Sequence, residues 1–277
     1  MSEIKGSSAV KRVAIASLGA IGRVVARALA KGEIAGFTLA AVSASNQVRA
    51  QQWLDEQGLK VPVVAIDALE PLSDVVLECA PAALLTQILS PFLEAGKEAI
   101  VLSAGALLLA PQLIEQAKRT GAVIRVPSGA LVGLDGVLAA AQGQFESVRL
   151  VTRKAPGSYA GAPHVVKNQI DLEGMTQATC IFEGDAREAA QAFPANVNVV
   201  AALALTGAGP ENTRMEVWAD PVLTRNTHTI TVVSDAAKMT MTMESLPSPN
   251  NPKTAMIVAQ SVLALLKKQT AHLQMGT

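Results

Sequence analysis

The sequence has few aromatic residues, few cysteines and no long uninterrupted apolar run. Phe, Trp and Tyr make up only 3% of the chain, and the two cysteines, Cys79 and Cys180, lie far apart without a metal-type spacing. This pattern argues against a disulfide framework and against a zinc site, and it suits a reducing compartment best. No segment reaches about 18 consecutive apolar residues, so the sequence predicts no membrane span.

Charge of one sign is also lacking. The chain carries 23 basic and 23 acidic residues, for a formal net charge of zero, and has no basic stripe or charged tail. Nucleic acid and anionic membrane are therefore not expected as partners. The opening stretch, MSEIKGSSAVKR, is polar and has no signal-peptide-like apolar run. We therefore expect a soluble cytoplasmic protein, and no metal site.

What the chain does contain is enough apolar material for a large core. Half of its 277 residues are hydrophobic and 17% are charged, so disorder is not expected. At about 150 residues per domain, this length indicates two domains. We predict a dinucleotide-binding domain over residues 1–125, an α+β catalytic and oligomerisation domain over 126–249, and a C-terminal helical segment over 250–277 that packs back on the first domain.

The first domain alternates between short apolar runs and helical patterns. Strands separated by helices of this length predict a parallel sheet covered on both faces, a Rossmann-type doubly wound α/β fold. The predicted strands are 12–18, 37–44, 61–66, 74–80, 98–105 and 122–129, and the predicted helices are 20–32, 47–58 and 110–121.

In the second half of the chain the pattern is different, because consecutive predicted strands follow one another through short connections. Such a pattern predicts an antiparallel or mixed sheet. The predicted strands are 147–156, 177–186, 213–221, 228–235 and 237–247, with helices at 187–193 and 196–206 and a last helix at 252–269.

A glycine turn follows the first predicted strand, in the stretch VAIASLGAIGRVVARAL. In a G-x-G-x-x-G turn the second glycine lets the backbone approach a pyrophosphate, and the third lets the helix pack on its strand. Gly19 and Gly22 fill these two places, whereas Ser17 takes the first, which it can do if its φ is negative. A strand-to-helix turn without a ligand is the simpler alternative. The candidate cofactor-binding residues here are Ser17, Gly19, Ala20, Ile21 and Gly22.

The end of the second predicted strand bears on the choice between NAD and NADP. The acidic residue that holds the ribose diol of NAD is missing, and Ser43, Asn46 and Arg49 stand there instead. The missing carboxylate removes a repulsion toward a 2′-phosphate, so NADP is allowed and NAD is not excluded. Ala80 and Ala104 follow later strands and leave room for a nicotinamide ribose, although simple strand-end turns explain them equally well.

Four stretches carry a more specific signal. They are VPSGALVGLDG (126–136), FPANVNVVAALALTG (193–207), ADPVLTRNTHTI (219–230) and NNPKTAM (250–256). Together with the GAIG turn, and in this order over nearly the whole chain, they closely resemble the L-aspartate dehydrogenase family. The resemblance implies a Rossmann domain followed by an α+β catalytic domain that also supports subunit contacts.

The resemblance also implies an activity and residues that perform it. The reaction is the reversible oxidation of L-aspartate to iminosuccinate by NAD or NADP, with release of oxaloacetate and ammonia after hydrolysis. The catalytic histidine of the family maps to His228, and its cofactor-contacting positions map to Ala130 and Asn198. Three departures, Ser17 in the turn and the loosely matching stretches 162–174 and 183–190, leave open a relative that acts on a modified aspartate.

The chemistry adds its own requirements. Hydride removal from the α-carbon needs a neutral amine and a group that handles a proton, and a histidine titrates near physiological pH. A histidine at a strand start is by itself more often structural, but its place in TRNTH favours a catalytic His228. A dicarboxylate needs cationic or N–H-rich partners. The substrate-binding candidates are Ser128, Lys154, Arg225 and Asn226.

Alternatives remain open at this point. One is a related NAD(P)-dependent enzyme for another small dicarboxylic amino acid or imine. Another is a sensor that binds NAD(P) without turnover. The direction of the reaction is also open, since iminosuccinate could supply NAD biosynthesis. An apolar second domain with an exposed sheet is consistent with a homodimer or a homotetramer.

Overall fold

The computed structural model describes residues 9–248 and 251–276. Its strands are β1 (Lys11–Ala16), β2 (Phe37–Ser43), β3 (Val75–Glu78), β4 (Glu98–Val101), β5 (Val123–Arg125), β6 (Phe145–Lys154), β7 (Thr179–Asp185), β8 (Thr213–Ala219), β9 (Asn226–Ser234), β10 (Lys238–Ser245), β11 (Pro247–Ser248) and β12 (Asn251–Ala255). Its helices are α1 (Ala20–Ala30), α2 (Gln47–Glu56), α3 (Leu85–Glu94), α4 (Ala104–Leu108), α5 (Pro111–Thr120), α6 (Leu134–Ala140), α7 (Pro163–Lys167), α8 (Ala186–Ala192), α9 (Asn198–Leu203) and α10 (Met256–Thr270). None of the helices in the described part of the chain is long and apolar enough to cross a membrane.

The chain divides by its contacts into two units. The first contains the described residues up to Val101, with Gln112–Arg125 and Val262–Gln274, and the second contains Leu102–Pro111 and Val126–Ser261. The segment 102–111, which the sequence places in the first domain, belongs to the second unit. The reason is that Ala104 and Leu108 of α4 are part of the apolar core of that unit.

The first unit is built on a parallel sheet in the order β2-β1-β3-β4-β5. The order reverses between β1 and β3, and right-handed crossovers then place helices on both faces, as the sequence predicts. The strands are apolar because both faces are covered, and all residues from Val13 to Ala16 are fully buried. The reversal matters for function, since ligands of such sheets bind at the carboxyl ends of the strands beside it.

One predicted strand of this sheet is wrong. Residues 61–66 form no strand and contribute a single bridge, Val63 to Val42, before a 3₁₀ turn at Ile66–Ala68. Pro62 has no N–H to donate, so the segment cannot extend a ladder beside β2. The helix α3 is not predicted from the sequence, because Pro91 interrupts its helical pattern.

The second unit is built on a mixed sheet in the order β10-β9-β6-β8-β7. β6 and β8 are parallel, and the other neighbours are antiparallel. Inward-facing residues of these strands, such as Leu150, Met215 and Ile230, are fully buried and pack with the apolar residues of α8 and α9. The strand predictions are thus met within a few residues, and the α+β class is as expected.

The end of the chain differs from its predicted form. The last helix begins at Met256, not at residue 252, because Asn251–Ala255 pair with Pro247–Ser248 as a small antiparallel ribbon. Pro252 lies at the predicted start of the helix. The side chains of residues 251–254, from the fourth motif, lie outside the described part of the structure. Near its end α10 is tied to the first unit, where the Thr270 hydroxyl donates to the Ala35 carbonyl at 3.1 Å.

Candidate active site

The turn between β1 and α1 has an unusual backbone at its first position. Ser17 has a φ of 89°, in the left-handed region, so the expectation of a negative φ is wrong. Non-glycine residues enter this region at a cost of about 1–2 kcal/mol. The turn is held in place by two bonds, because Ser17 N–H donates to the Ser43 carbonyl at 3.1 Å and the Cys79 thiol donates to the Ser17 carbonyl at 3.1 Å.

The glycines of this turn fit a dinucleotide. A Cβ on Gly22 would lie 2.2 Å from the Ser17 carbonyl oxygen, so no other residue allows α1 to approach β1 this closely. Among the described residues, and apart from its two chain neighbours, the atom nearest to a Cβ on Gly19 would be Ser17 Oγ at 3.8 Å, so Gly19 leaves open space on the outer side of the turn. No acidic residue stands in the first turn of α1 and no side chain caps it. The N–H groups there can receive a phosphate.

The neighbouring strand ends complete this edge of the sheet. Ser43 is buried at the end of β2, and Ala80 follows β3 with its N–H donating to Glu78 Oε1 at 3.1 Å. Asn46 caps α2 by accepting from the Arg49 N–H at 2.9 Å, which occupies its side-chain oxygen. No carboxylate stands at the end of β2 to repel a 2′-phosphate. The structure is therefore compatible with NADP as well as with NAD.

The second unit brings four polar side chains together on the inward face of its sheet. Thr152 of β6 stands directly opposite His228 of β9. Lys154 lies two residues after Thr152, and Asn226 lies two residues before His228, so all four share one face. Thr152, Lys154 and His228 are 0%, 8% and 4% exposed. Polar groups therefore form two adjacent rows at the end of an otherwise apolar face.

His228 is more enclosed than a residue at an open cleft. Its Nδ1 lies 3.1 Å from the Thr152 hydroxyl. Burial, with a smaller contribution from the charge of Lys154, lowers the pKa of His228 to about 3. The expectation that this imidazole titrates near physiological pH is therefore wrong for the free protein, in which the ring is neutral. A neutral ring offers one N–H donor and one lone pair.

Lys154 is the buried cation of the site. Its Nζ donates to Asn196 Oδ1 at 2.8 Å. Burial lowers the pKa of Lys154 to about 8, because a low-dielectric surrounding disfavours the ammonium form. At neutral pH the side chain is thus mostly charged, and it holds that charge where water is scarce, which strengthens its attraction for an anion.

A cavity of about 370 Å³ opens beside these rows. This size is typical of sites for small ligands. Its polar lining includes Lys154, Asn196, Asn226 and Ser158, and its apolar wall includes Phe193. His228 is not part of the lining but lies one row behind Lys154 and Asn226 on the same sheet face. The pocket can therefore hold a small anion close to a neutral imidazole.

Other predicted residues occupy different places. Arg225 is exposed and faces Glu244, with 3.9 Å between Nη1 and Oε2. Ser128 and Ala130 lie in a turn in which the Leu131 N–H donates to the Ser128 carbonyl at 2.8 Å. None of these three lines the cavity. Their assignment to substrate or cofactor stays a prediction.

Asn198 and Ala104 are linked by their local structure. Asn198 begins α9, and its Oδ1 accepts from the Gly105 N–H at 3.1 Å. A Cβ on Gly105 would lie 2.6 Å from Val197 Cγ2, so α4 meets the start of α9 closely. Ala104 is buried in the core of the second unit. Because Oδ1 accepts from Gly105, the donor Nδ2 of Asn198 is the amide group that could bind an acceptor of a ligand.

Sequence reasoning missed two contributors to the pocket and its surroundings. Asn196 looks like a helix cap in the sequence, yet α9 begins at Asn198 and Asn196 instead receives Lys154. Thr152 carried a usable signal, because it lies two residues before a strand-end lysine in an alternating strand. His164 packs against Phe182 and Phe193, with ring centroids 5.3 and 5.5 Å away.

Known protein families match both halves of the chain. A family model described as "Aspartate dehydrogenase, C-terminal" matches residues 135–269, and one described as "Homoserine dehydrogenase, NAD binding domain" matches residues 18–127. The L-aspartate dehydrogenase 3 of Bordetella bronchiseptica is 50% identical over 265 residues, covering 96% of this chain and 97% of the relative. The L-aspartate dehydrogenase of Bradyrhizobium diazoefficiens is 47% identical over 273 residues, covering 98% and 96%.

A solved structure shares the fold. The aspartate dehydrogenase of Thermotoga maritima superposes with a TM-score of 0.71 at 22% identity, covering 96% of this chain and 99% of that one. The family comparisons make the chain an NAD(P)-dependent oxidoreductase, and a glycine turn that fits a dinucleotide in one unit and a small pocket with a buried lysine in the other agree with that class. Within that class, the chain belongs to the L-aspartate dehydrogenase family.

Proposed function

We propose that this protein interconverts L-aspartate and iminosuccinate with NAD or NADP. The α-carbon of aspartate gives up a hydride and its amino group one proton, so that aspartate and the oxidised nucleotide yield iminosuccinate, the reduced nucleotide and one proton. Iminosuccinate then takes up water to give oxaloacetate and ammonia. The observation that carries the proposal is the pocket built on Lys154, in a chain of this family.

Lys154 supports a carboxylate-bearing substrate. Its ammonium group already donates to Asn196 Oδ1, and two further donors remain on the same nitrogen. Asn226 contributes an amide to the same wall, and Ser158 contributes a hydroxyl. A charge-assisted hydrogen bond is worth about 1.5–3 kcal/mol, so one carboxylate of aspartate is held firmly here.

The Gly19–Gly22 turn supports the cofactor. Its open outer side and the free start of α1 are where the pyrophosphate would lie, with Ser17, Ala20 and Ile21 contributing main-chain atoms. The nicotinamide, when bound, accepts the hydride. Ser43 and Ala80 line the same sheet edge, whereas Ala104, Ala130 and Asn198 are the positions proposed for the nicotinamide end.

His228 is the proposed catalytic side chain. It shares a sheet face with two residues of the pocket wall and stays neutral because burial and the charge of Lys154 oppose its protonation. A carboxylate bound to Lys154 offsets only the smaller of these two causes, so burial keeps the imidazole neutral in the complex as well. Ser128 and Arg225 remain proposed substrate contacts that are outside the cavity lining.

The test is a substrate screen in both directions. Reduced-nicotinamide absorbance is followed with L-aspartate and each oxidised cofactor, then with oxaloacetate plus ammonium and each reduced cofactor. Turnover with aspartate and with its imine is expected. Turnover only with another dicarboxylic amino acid or imine would favour the related-enzyme alternative. Tight cofactor binding without any turnover would favour a sensor.

A homodimer or homotetramer in the cytoplasm completes the proposal. The support is a mixed sheet in the second unit whose outer face carries exposed or half-buried residues, among them Arg149 and Arg153. Light scattering of the purified chain, coupled to size exclusion, measures the subunit count, and a monomeric mass would remove this part of the proposal.

A further inference from the structure

The Thr152–His228 pair is a buried side-chain hydrogen bond between the neighbouring strands β6 and β9. The two residues stand opposite each other in the β6–β9 register, and the hydroxyl lies 3.1 Å from Nδ1. Thr152 is fully buried and β-branched, so its χ1 is restricted and its hydroxyl is held in one direction. The ring of His228 is therefore oriented by a rigid partner.

The hydrogen-bond inventory decides which group donates. Among the described residues, Nδ1 of His228 is the hydrogen-bond partner of the Thr152 hydroxyl. If Nδ1–H donated to the hydroxyl, the buried O–H of Thr152 would be left without an acceptor. An unsatisfied buried donor costs more than an oxygen lone pair left unused. The O–H of Thr152 therefore donates to Nδ1, which must then be the unprotonated nitrogen of the ring.

The second ring nitrogen completes the assignment. A neutral imidazole with a lone pair on Nδ1 carries its hydrogen on Nε2. Within the described residues, Nε2 of His228 is not among the buried side-chain atoms that lack a partner, which are Ser245 Oγ and Gln269 Nε2. In the free protein this N–H is a donor that faces the side of the ring away from Thr152.

We propose that Thr152 is a positioning residue that fixes His228 as the Nε2–H tautomer, so that His228 acts on the substrate as a neutral hydrogen-bond donor. Its acceptor is a carboxylate oxygen or the imine nitrogen, both of which the proposed substrate pair offers. This inference rests on the proposed function for the identity of the acceptor, but not for the tautomer. A neutral donor polarises an acceptor without itself giving up a proton.

The tautomer is measured without any substrate. Chain labelled with ¹⁵N-histidine is studied by long-range ¹H–¹⁵N correlation between about pH 5 and pH 8, and the signals of His228 are those missing from His228→Asn. The wild-type chain and Thr152→Ser, which keeps the hydroxyl, are expected to show a neutral ring with Nε2–H throughout. A proton on Nδ1 in the wild-type chain, or an imidazolium in this range, would overturn the proposal.

Kinetics test whether the contact matters for turnover. Thr152→Val keeps the shape of the side chain and removes its hydroxyl. It should lower kcat by about tenfold, which is less than the cost of losing a preorganised donor outright. Thr152→Ser, which keeps the hydroxyl, should retain the wild-type rate. A kcat for Thr152→Val within about twofold of the wild-type value would contradict a positioning role. If Thr152→Val does not fold, the wild-type and Thr152→Ser spectra still decide the tautomer. The expected spectra without aspartate turnover would leave the tautomer standing and refute the proposed substrate.

Discussion

The two sheets of this protein use opposite means to build a site. In the first unit the strands are parallel and largely apolar on both faces, and the proposed cofactor contacts are main-chain atoms of the turn between β1 and α1. In the second unit the strands alternate, and two rows of the inward face replace apolar residues by Thr152, Lys154, Asn226 and His228. A backbone site depends on small residues and φ values, whereas a side-chain site depends on charge, tautomer and register.

This difference predicts how each unit responds to change. A methyl group added in the first unit acts by steric conflict, so its effects appear in stability and in cofactor binding. A change of one functional group in the second unit acts on charge or on a hydrogen bond. Its effects should appear in kcat, in substrate affinity and in pH dependence, with the fold retained.

The largest expected effect is at His228. His228→Asn keeps an atom near the place of Nδ1, which can still accept from Thr152, but has none near Nε2, so kcat should fall by about 10²–10³. His228→Gln places an N–H donor nearer to Nε2 and should recover part of the rate. Steady-state kinetics with circular dichroism as a folding check measures both. Full activity of the Asn variant would remove His228 from the mechanism.

Gly22 and Gly19 form a matched pair that tests the backbone site. Gly22→Ala places its Cβ 2.2 Å from the Ser17 carbonyl oxygen, so we expect a loss of at least about 3 kcal/mol in the free energy of unfolding. Gly19→Ala, at a φ of −80°, should unfold like the wild-type chain but bind the cofactor about tenfold more weakly. Urea unfolding and nucleotide fluorescence titration separate the two. Equal stability of both variants would contradict the close approach of α1 to β1.

Lys154 makes substrate affinity depend on pH. Because its pKa is lowered to about 8, the ammonium is present below that pH and is lost above it. Succinate, a dicarboxylate that cannot be oxidised here, should therefore bind more weakly as the pH rises through about 8, by about tenfold or more. Isothermal titration calorimetry at several pH values measures this.

Lys154→Met is the control for that titration. It should bind succinate weakly at every pH, with a flat profile, while cofactor affinity is unchanged. The unfolded chain also holds the Lys154 proton up to about its ordinary pKa of 10.5, so folding stability should rise with pH between about 8 and 10.5 in the wild-type chain only. If succinate binding by the wild-type chain depended as little on pH as binding by Lys154→Met, Lys154 would not hold the carboxylate.

The smallest expected effect is at Ser17. Glycine at a φ of 89° avoids a strain of about 1–2 kcal/mol, but it also increases the entropy of the unfolded chain, so Ser17→Gly should gain only about 0.5 kcal/mol. Ser45→Gly, at an exposed position where φ is not positive, is the control and should lose about that much. Thermal and urea unfolding measure both. A clear loss of stability in Ser17→Gly would indicate that the hydroxyl itself stabilises the turn.

Much of the fold was predictable because hydrophobic periodicity reports local burial. The strands and helices around the Gly19–Gly22 turn follow the pattern closely, and the mixed sheet follows from alternation. The failures have local causes. Pro62 limits the pairing with β2 to one bridge, and Pro91 interrupts the helical pattern of α3. Pro252 lies in a strand of the small ribbon, where a helix was expected.

The candidate site was predictable only in part. Lys154, Asn226 and His228 were named from strand ends and from the family resemblance, and the structure brings them to one sheet face. Arg225 was named for the same reason and is exposed at the surface beside Glu244. A strand end in the sequence does not say which face a side chain takes until the register of its neighbours is known.

By itself, the sequence determined the class of each unit, the glycine turn proposed for the dinucleotide and the residue types that reach the pocket. These follow from patterns within a few residues, since propensity, periodicity and glycine geometry are local. Only the tertiary structure decided that Thr152 meets His228, that Asn196 receives Lys154 and that Ser17 takes a left-handed backbone. These contacts join residues as far as 76 positions apart, and the burial that keeps the imidazole neutral exists only once the strands have paired.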